Sequence, residues 1–216
     1  MSQLLVYSHL GGAQYPAGLT DHLGAHAPAM VALWGARDIW FKRKGALLAV
    51  LCSARAPASI LLQMHDLAQE WRTGGATVIS GFHSPVEREC LAVLLRGPPP
   101  VILCPARGIA RMRLKREYKE PMAAGRLLLM SPFGDNVRRM TVDTALIRNR
   151  FVAALADTLL IAHAEPQSRT ELLAQEVIRW GKPLYTIDNP ANDNLVALGV
   201  SRYSSVGMPT VSPGCP

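Results

Sequence analysis

From residue 46 onward, short apolar runs alternate with longer amphipathic stretches. Runs of strand length occupy 46–52, 76–80, 100–104, 126–131, 158–162 and 183–187. They are continuously apolar rather than alternating, which suits a sheet covered on both faces. Helical patterns fill the intervals at 57–72, 84–96, about 110–124, 141–156 and 169–180. Strand–helix alternation over five crossovers predicts an α/β fold with a doubly wound, mostly parallel sheet of about six strands and helices on both faces. Punctuation agrees with this. Ser84-Pro85 places an N-cap before a first-turn proline, with Glu87 three residues after the cap. Gly74-Gly75, Gly125 and Gly181 follow helical patterns, as C-cap glycines do. Residues 1–45 are broken by glycine and proline and read as an arm packed on the core, with a short helix near 20–26 and a strand near 29–34. The domain proper spans 46–190, and 191–216 reads as a turn-rich tail.

Composition narrows the class. The chain has 216 residues, 49% hydrophobic and 18% charged, enough to bury a core and too apolar for disorder. Its longest apolar stretches, 46–52 and 151–164, fall short of the ~20 residues a membrane span needs, and Asp157 interrupts the second. The first residues lack a basic segment followed by a long apolar run, so no signal peptide is expected. Cys52, Cys90, Cys104 and Cys215 form no CxxC pair and read as thiols in a reducing, cytoplasmic setting, not as disulfides or a zinc site.

Charge adds a partner class. Twenty-three Lys and Arg against 16 Asp and Glu leave a net charge of +7. Thirteen of the 23 cations fall in three stretches: Lys42-Arg43-Lys44, residues 107–119, and Arg138, Arg139, Arg148 and Arg150. If these converge in space, they form a phosphate-binding surface. Residues 107–119 would be its basic rim, through Arg107, Arg111, Arg113, Lys115 and Arg116.

In a doubly wound sheet, ligands bind outside the carboxyl ends of the strands. Those ends are loops 53–57, 81–85, 105–108, 132–139, 163–169 and 188–194. GxGxxG, GxxxxGK[ST] and GxSxG are all absent. The first loop offers Ser53 and Arg55. The second offers Ser80, Gly81, Phe82, His83 and Ser84, where helix-start amides could cradle an anion and Gly81 would let it approach. Arg148-Asn149-Arg150 suits bidentate phosphate capture. His83, Ser84 and Glu87 suggest a triad, yet Ser84 is explained as a cap and Glu87 by its box. His83 and His163 are too few to argue a metal. No catalytic residue, metal or cofactor is assigned. Trp34, Trp40, Phe82, Tyr118 and Phe133 are the aromatics available for base stacking.

These residues carry a resemblance. Residues 148–157 (RNRFVAALAD) resemble the RNRxIAxLSD pattern of the DprA/Smf family (DNA-processing protein A), within the wider SLOG and LOG-like group. Residues 80–87 resemble the family's SGxARGID turn, and Ser53-Ala54-Arg55 its G-[ST]-R turn. Residues 160–174 resemble its VVEA…SGSLITA stretch, and 181–190 the segment after it. The similarity runs from about 29 to 190. It implies a Rossmann-like domain binding single-stranded DNA, with Ser168 and Thr170 added to the site. It also implies a homodimer, a RecA-like recombinase as partner, and no enzymatic activity. His83 and Ser84 stand where the family has arginine and glycine, His163 where it has glutamate, and Arg169 where it has glycine. Leu173 stands where LOG-like phosphoribohydrolases carry a glutamate, and no counterpart of the family's winged-helix module is read. Three readings remain: a DprA-like DNA-binding module; a sensor or enzyme for a nucleotide-derived ligand, with His83, Glu87, His163 and Glu165 as acid–base groups; and a scaffold.

Overall fold

The computed structural model describes residues 5–43 and 45–203. In chain order it forms β1 (Val6–His9), α1 (Ala17–Leu23), a 3-10 turn (Gly24–His26), β2 (Met30–Gly35), α2 (Asp38–Phe41), β3 (Leu47–Cys52), α3 (Ala58–Gly74), β4 (Thr77–Ser80) and α4 (Pro85–Leu94). There follow β5 (Val101–Leu103), α5 (Arg116–Ala123), β6 (Leu127–Ser131), α6 (Val142–Leu155), β7 (Thr158–His163), α7 (Arg169–Arg179), β8 (Leu184–Thr186), a 3-10 turn (Pro190–Asn192), α8 (Asp193–Ala197) and β9 (Ser201–Arg202). Among the described residues, nine strands make one sheet in the order β1-β2-β6-β5-β4-β3-β7-β8-β9.

The pattern of burial explains the layers. Every residue of β3 and of β7 is buried. Along β3, Leu47, Ala49 and Leu51 join a core with α1, α6 and α7. Leu48, Val50 and Cys52 join the opposite core with α3, α4 and α5. That two-residue alternation with both faces apolar is what a covered parallel strand requires. From β3 the crossovers step outward to β4, β5 and β6, and α6 then carries the chain back to β7, on the other side of β3. The direction of winding reverses between β3 and β7.

Three features differ from the sequence expectation. Residues 1–45 do not only lie against the core: β2 pairs antiparallel with β6 and β1 with β2, so two strands extend the sheet beyond the expected six. Beyond residue 190, α8 packs Leu195 into the core and β9 pairs with β8, while residues 204–216, with Cys215, lie outside the described residues. The helix expected over 110–124 begins at Arg116. Residues 107–115 stay a loop because Ile109 is fully buried and the Gly108 N–H donates to the Val137 carbonyl at 2.9 Å. As a helix this segment would also have stacked its cations at three- and four-residue spacing.

The amino end of the sheet is tied down by charge. Asp157 accepts from the Leu47 N–H at 2.7 Å and pairs with Arg43. Lys182 donates to the carbonyls of Ala153, Ala154 and Ala156 at 2.6–2.9 Å, capping the carboxyl end of α6. Burial lowers the Lys182 amine from 10.5 to about 8, with Asp157 opposing that fall. Between these two values the unfolded chain binds the proton and the folded chain does not, so this group makes stability rise with pH there. The difference in unfolding free energy between wild type and Lys182→Met, measured by urea denaturation, should therefore be flat below about pH 7 and shift in favour of wild type from pH 8 to 10. A flat difference throughout would refute it.

Candidate functional site

The 80–85 turn was expected to cradle an anion, and the resemblance added Ser168 and Thr170 at the start of α7; at both turns the chain supplies a carboxylate of its own. Ser84 Oγ accepts from the Glu87 N–H and caps α4. The Glu87 carboxylate, 3% exposed, accepts from the N–H groups of His83 (2.7 Å) and Ser84 (3.2 Å) with one oxygen. Its other oxygen accepts from Cys52 N–H at 2.9 Å, which ties α4 to the end of β3. At α7, Ser168 Oγ accepts from the Glu171 N–H, and Glu171 accepts from Gln167 N–H and from Asn194 Nδ2, both at 2.6 Å. Ser53 Oγ accepts from the Glu165 N–H. His163 is buried, its Nδ1 2.9 Å from Asn192 Oδ1. The switch between β3 and β7 is thus filled by internal hydrogen bonds. Ser53, Ser80, Ser84 and Ser168 serve the backbone, Arg55 is exposed, and Thr170 lines none of the cavities described below.

The cavity lies one step along, over β4 and β5. Arg148, on α6, is 3% exposed, yet its guanidinium forms part of the wall. Its Nη1 donates to the Cys104 carbonyl at 3.0 Å and its Nε to Asn149 Oδ1 at 2.8 Å. The side chain lies flat on Gly81, where an added Cβ would sit 1.4 Å from Nη1. Gly81 therefore admits Arg148, not the ligand itself. Next to it Phe82 adopts a left-handed φ of 47° with its ring buried, and its N–H donates to Ser80 Oγ. Burial pushes the Arg148 guanidinium down from its ordinary value, opposed by the charge of Glu87. A guanidinium keeps its proton regardless. The site thus holds a largely dehydrated cation that forms no ion pair among the described residues.

Around it, a cavity of about 310 Å³ is lined by Arg107, Arg113, Lys115 and Arg148 with Phe82, His83, Met112, Tyr118 and Met140, and by no carboxylate among the described residues. Lys115 Nζ stands 5.4 Å from the centre of the Tyr118 ring. The two basic loops are sewn together: Gly108 N–H reaches Val137, Ser131 Oγ donates to the Arg107 carbonyl, and a Cβ on Gly108 would meet the Gly134 carbonyl at 2.5 Å. Two further cavities adjoin. One of about 240 Å³ shares Arg107 and Met112 and adds Arg111 and Arg138 with one carboxylate, Asp135, which accepts from the Tyr7 hydroxyl. The other, about 440 Å³, shares His83 and Met140 and adds Asn149 and Arg169. Together they form a basic trench.

Four expected cations stay out of it. Arg150 is held by Glu176 of α7, its Nε 3.0 Å from both carboxylate oxygens. Lys42 and Arg43 pair with Asp38 and Asp157 at the opposite end of the sheet, and Lys44 lies outside the described residues. Arg116 opens α5 in solvent. The sequence reading missed Met112, Met140 and Leu146 as lining residues. Among the described residues no three His, Cys, Asp or Glu side chains gather as a metal cluster. Burial pushes the thiols of Cys90 and Cys104 up to about 12 and that of Cys52 higher still, so none is a nucleophile.

The comparisons with known proteins are consistent with this geometry. The model of a family described as DNA recombination-mediator protein A matches residues 7–202. DNA processing protein A from Streptococcus pneumoniae has a similar structure, with TM-score 0.74 and 17% identity over 94% of this chain and 72% of that one. DNA processing protein A from Helicobacter pylori, solved for its single-stranded DNA binding mode, gives 0.72 and 19% identity over 91% of this chain and 89% of that one. The molybdenum cofactor binding protein of Rippkaea orientalis is more distant, at 0.53 and 13% over 76% and 91%. No curated protein matches the sequence significantly.

Proposed function

The chain belongs to the DNA recombination-mediator protein A family, and from that premise we propose that it binds single-stranded DNA along the basic trench, backbone phosphate by backbone phosphate. The observation that carries this is Arg148: a buried guanidinium in the wall of a cavity whose other charged lining residues are Arg107, Arg113 and Lys115. Such a cation binds a phosphate strongly because water competes poorly there. Arg111 and Arg138 continue the track on one side and Arg169 on the other. In this reading Ser84, His83 and Glu87 do no nucleophilic work, because the Ser84 hydroxyl caps α4. The protein acts by holding the strand. The family supports two further proposals, a homodimeric state and delivery of the strand to a RecA-like recombinase. The described residues contain no helix long and apolar enough to cross a membrane, and action on DNA would place the protein in the cytoplasm.

The test is fluorescence anisotropy of a labelled oligothymidylate across a salt series. Four to six phosphate contacts at about −0.7 each give an expected log–log slope of about −3 to −4. Arg113→Ala with Lys115→Ala should flatten that slope by about 1.4 and weaken binding at every salt concentration. Arg150→Ala, whose charge is spent on Glu176, should leave the slope unchanged. A slope near −0.7 would instead mark a single captured phosphate and favour a mononucleotide ligand, and no binding at low salt would sink the reading.

A further inference from the structure

The three cavities of the trench lie in a row. The Arg148 pocket is the middle one, since it shares His83 and Met140 with one neighbour and Arg107 and Met112 with the other. That second neighbour, of about 240 Å³, ends the row and differs from the rest. Arg107, Arg111 and Arg138 line it, and among the described residues none of their guanidiniums has an ion pair or a side-chain hydrogen bond. Their donors are free. Beside them stands Asp135, the one carboxylate that lines any of the three cavities among the described residues. The Tyr7 hydroxyl donates to it, 3.3 and 3.4 Å from its two oxygens. Tyr7 belongs to β1, the outermost strand, so the row of cavities runs out at the edge of the sheet. The bond from Gly108 N–H to the Val137 carbonyl joins the two loops that form the walls.

We propose that this end cavity takes a terminal phosphate, the monoester at the end of a DNA strand, and not a phosphate within the chain. This rests on reading the basic trench as the DNA path. A phosphate within the chain is a diester, with a single charge and two free oxygens. A terminal phosphate carries about −1.5 to −2 near neutral pH and has three acceptor oxygens. Three guanidiniums less one carboxylate leave the lining at +2, which a monoester balances and a diester does not. Each guanidinium also presents paired N–H groups, one fork for each oxygen. Asp135 marks where the strand stops. Tied to the outermost strand, it lies on the outward side, where a strand running on would bring its next phosphate, and like charges at close range repel. The size agrees. About 240 Å³ is below the ~300–1,000 Å³ of pockets that enclose a whole ligand, and suits a phosphate with part of its sugar. A free phosphate monoester has the same chemistry, and the test separates the two carriers.

The experiment uses oligothymidylates with a label at one end and, at the other, either a phosphate monoester or its methyl ester. Both polarities are made, and binding is read at one salt concentration. The methyl ester keeps the length and the phosphate and removes only the second charge. The expected result is that wild type binds the monoester about tenfold tighter than the methyl ester at one of the two strand ends, the worth of one added charge-assisted contact. Arg111→Ala with Arg138→Ala should bring that ratio close to one. Both residues are exposed, and they line this cavity and not the Arg148 pocket. Arg169→Ala, at the opposite end of the row, should weaken both strands alike and keep the ratio. Equal binding of monoester and methyl ester by wild type in both polarities overturns the terminal site and leaves the DNA path standing. A preference for the monoester that survives in the double variant also overturns it, since the end would then be held elsewhere. Millimolar methyl phosphate supplies the other arm. If it raises the melting temperature of wild type and not of the double variant while the two strands bind equally, the cavity serves free monoesters and the strand-end assignment falls. Failure of wild type to bind any strand removes the DNA path and the terminal site with it.

Discussion

Arg148→Ala should cut affinity for single-stranded DNA by about 30-fold, because a charge-assisted hydrogen bond in a closed pocket is worth about 2 kcal/mol. Gly81→Ala should do the same without touching any charged residue. A Cβ there would lie 1.4 Å from Arg148 Nη1 and 1.8 Å from Cζ, so the guanidinium has to leave. Its departure also strips the fully buried Cys104 carbonyl region of its donor, at a cost of about 1–3 kcal/mol in stability. The two changes act on one interaction and should therefore not add. Gly81→Ala combined with Arg148→Ala should bind no worse than Arg148→Ala alone, and should be more stable than the sum of the two single losses predicts. Arg148→Lys should recover little, since an ammonium cannot reach both Cys104 and Asn149 as the planar guanidinium does. Anisotropy and urea denaturation on wild type and the four variants decide the matter. Full additivity would show that Gly81 and Arg148 serve DNA independently.

The parts of this molecule legible in the sequence are those whose cause is local. Strands β3 to β8 announce themselves because two-sided burial demands unbroken apolar runs, as in 47–52 and 158–163. Ser84, Pro85 and Glu87 mark the start of α4 because a cap depends only on neighbours three residues apart. What escaped depends on distant pairing. Strand β2 is held by β6 through pairs such as Trp34 and Leu129, nearly a hundred residues apart, and nothing local in either segment records the other. Arg150 looks as free as Arg148 in the tripeptide, and only the fold brings Glu176 to it. The two arginines share a helix but project towards different neighbours, one into the cavity and one against α7. Gly81 was recognised as a point of close approach, but what approaches it is a side chain from 67 positions further along. The identity of the site as basic was readable from residues 107–119. Its boundaries were not, because they are set where loops 105–115 and 132–140 are stitched together.

The largest loss of stability should come from Glu87. Its carboxylate is the acceptor for the N–H groups of Cys52, His83 and Ser84, and it is the nearest compensation for the buried charge of Arg148. Glu87→Ala orphans three backbone donors, those of Cys52 and Ser84 buried and that of His83 partly so, and leaves that cation unbalanced, so a loss of about 3–5 kcal/mol is expected in urea denaturation. Glu87→Gln keeps the shape and loses less. An amide can accept on one side only, and its NH₂ must then face either Cys52 N–H or the His83 and Ser84 pair. The same geometry predicts a rescue. The start of α4 has the amides and dipole of an anion site and is closed to ligands only because Glu87 occupies it. In Glu87→Ala the cradle is vacated next to Arg148, so sulfate at tens of millimolar should raise the variant's melting temperature well beyond the general salting effect measured on wild type. Equal responses to sulfate in the two proteins would mean that the turn has no anion site to vacate, and that Glu87 is held there by its bond to the end of β3 alone.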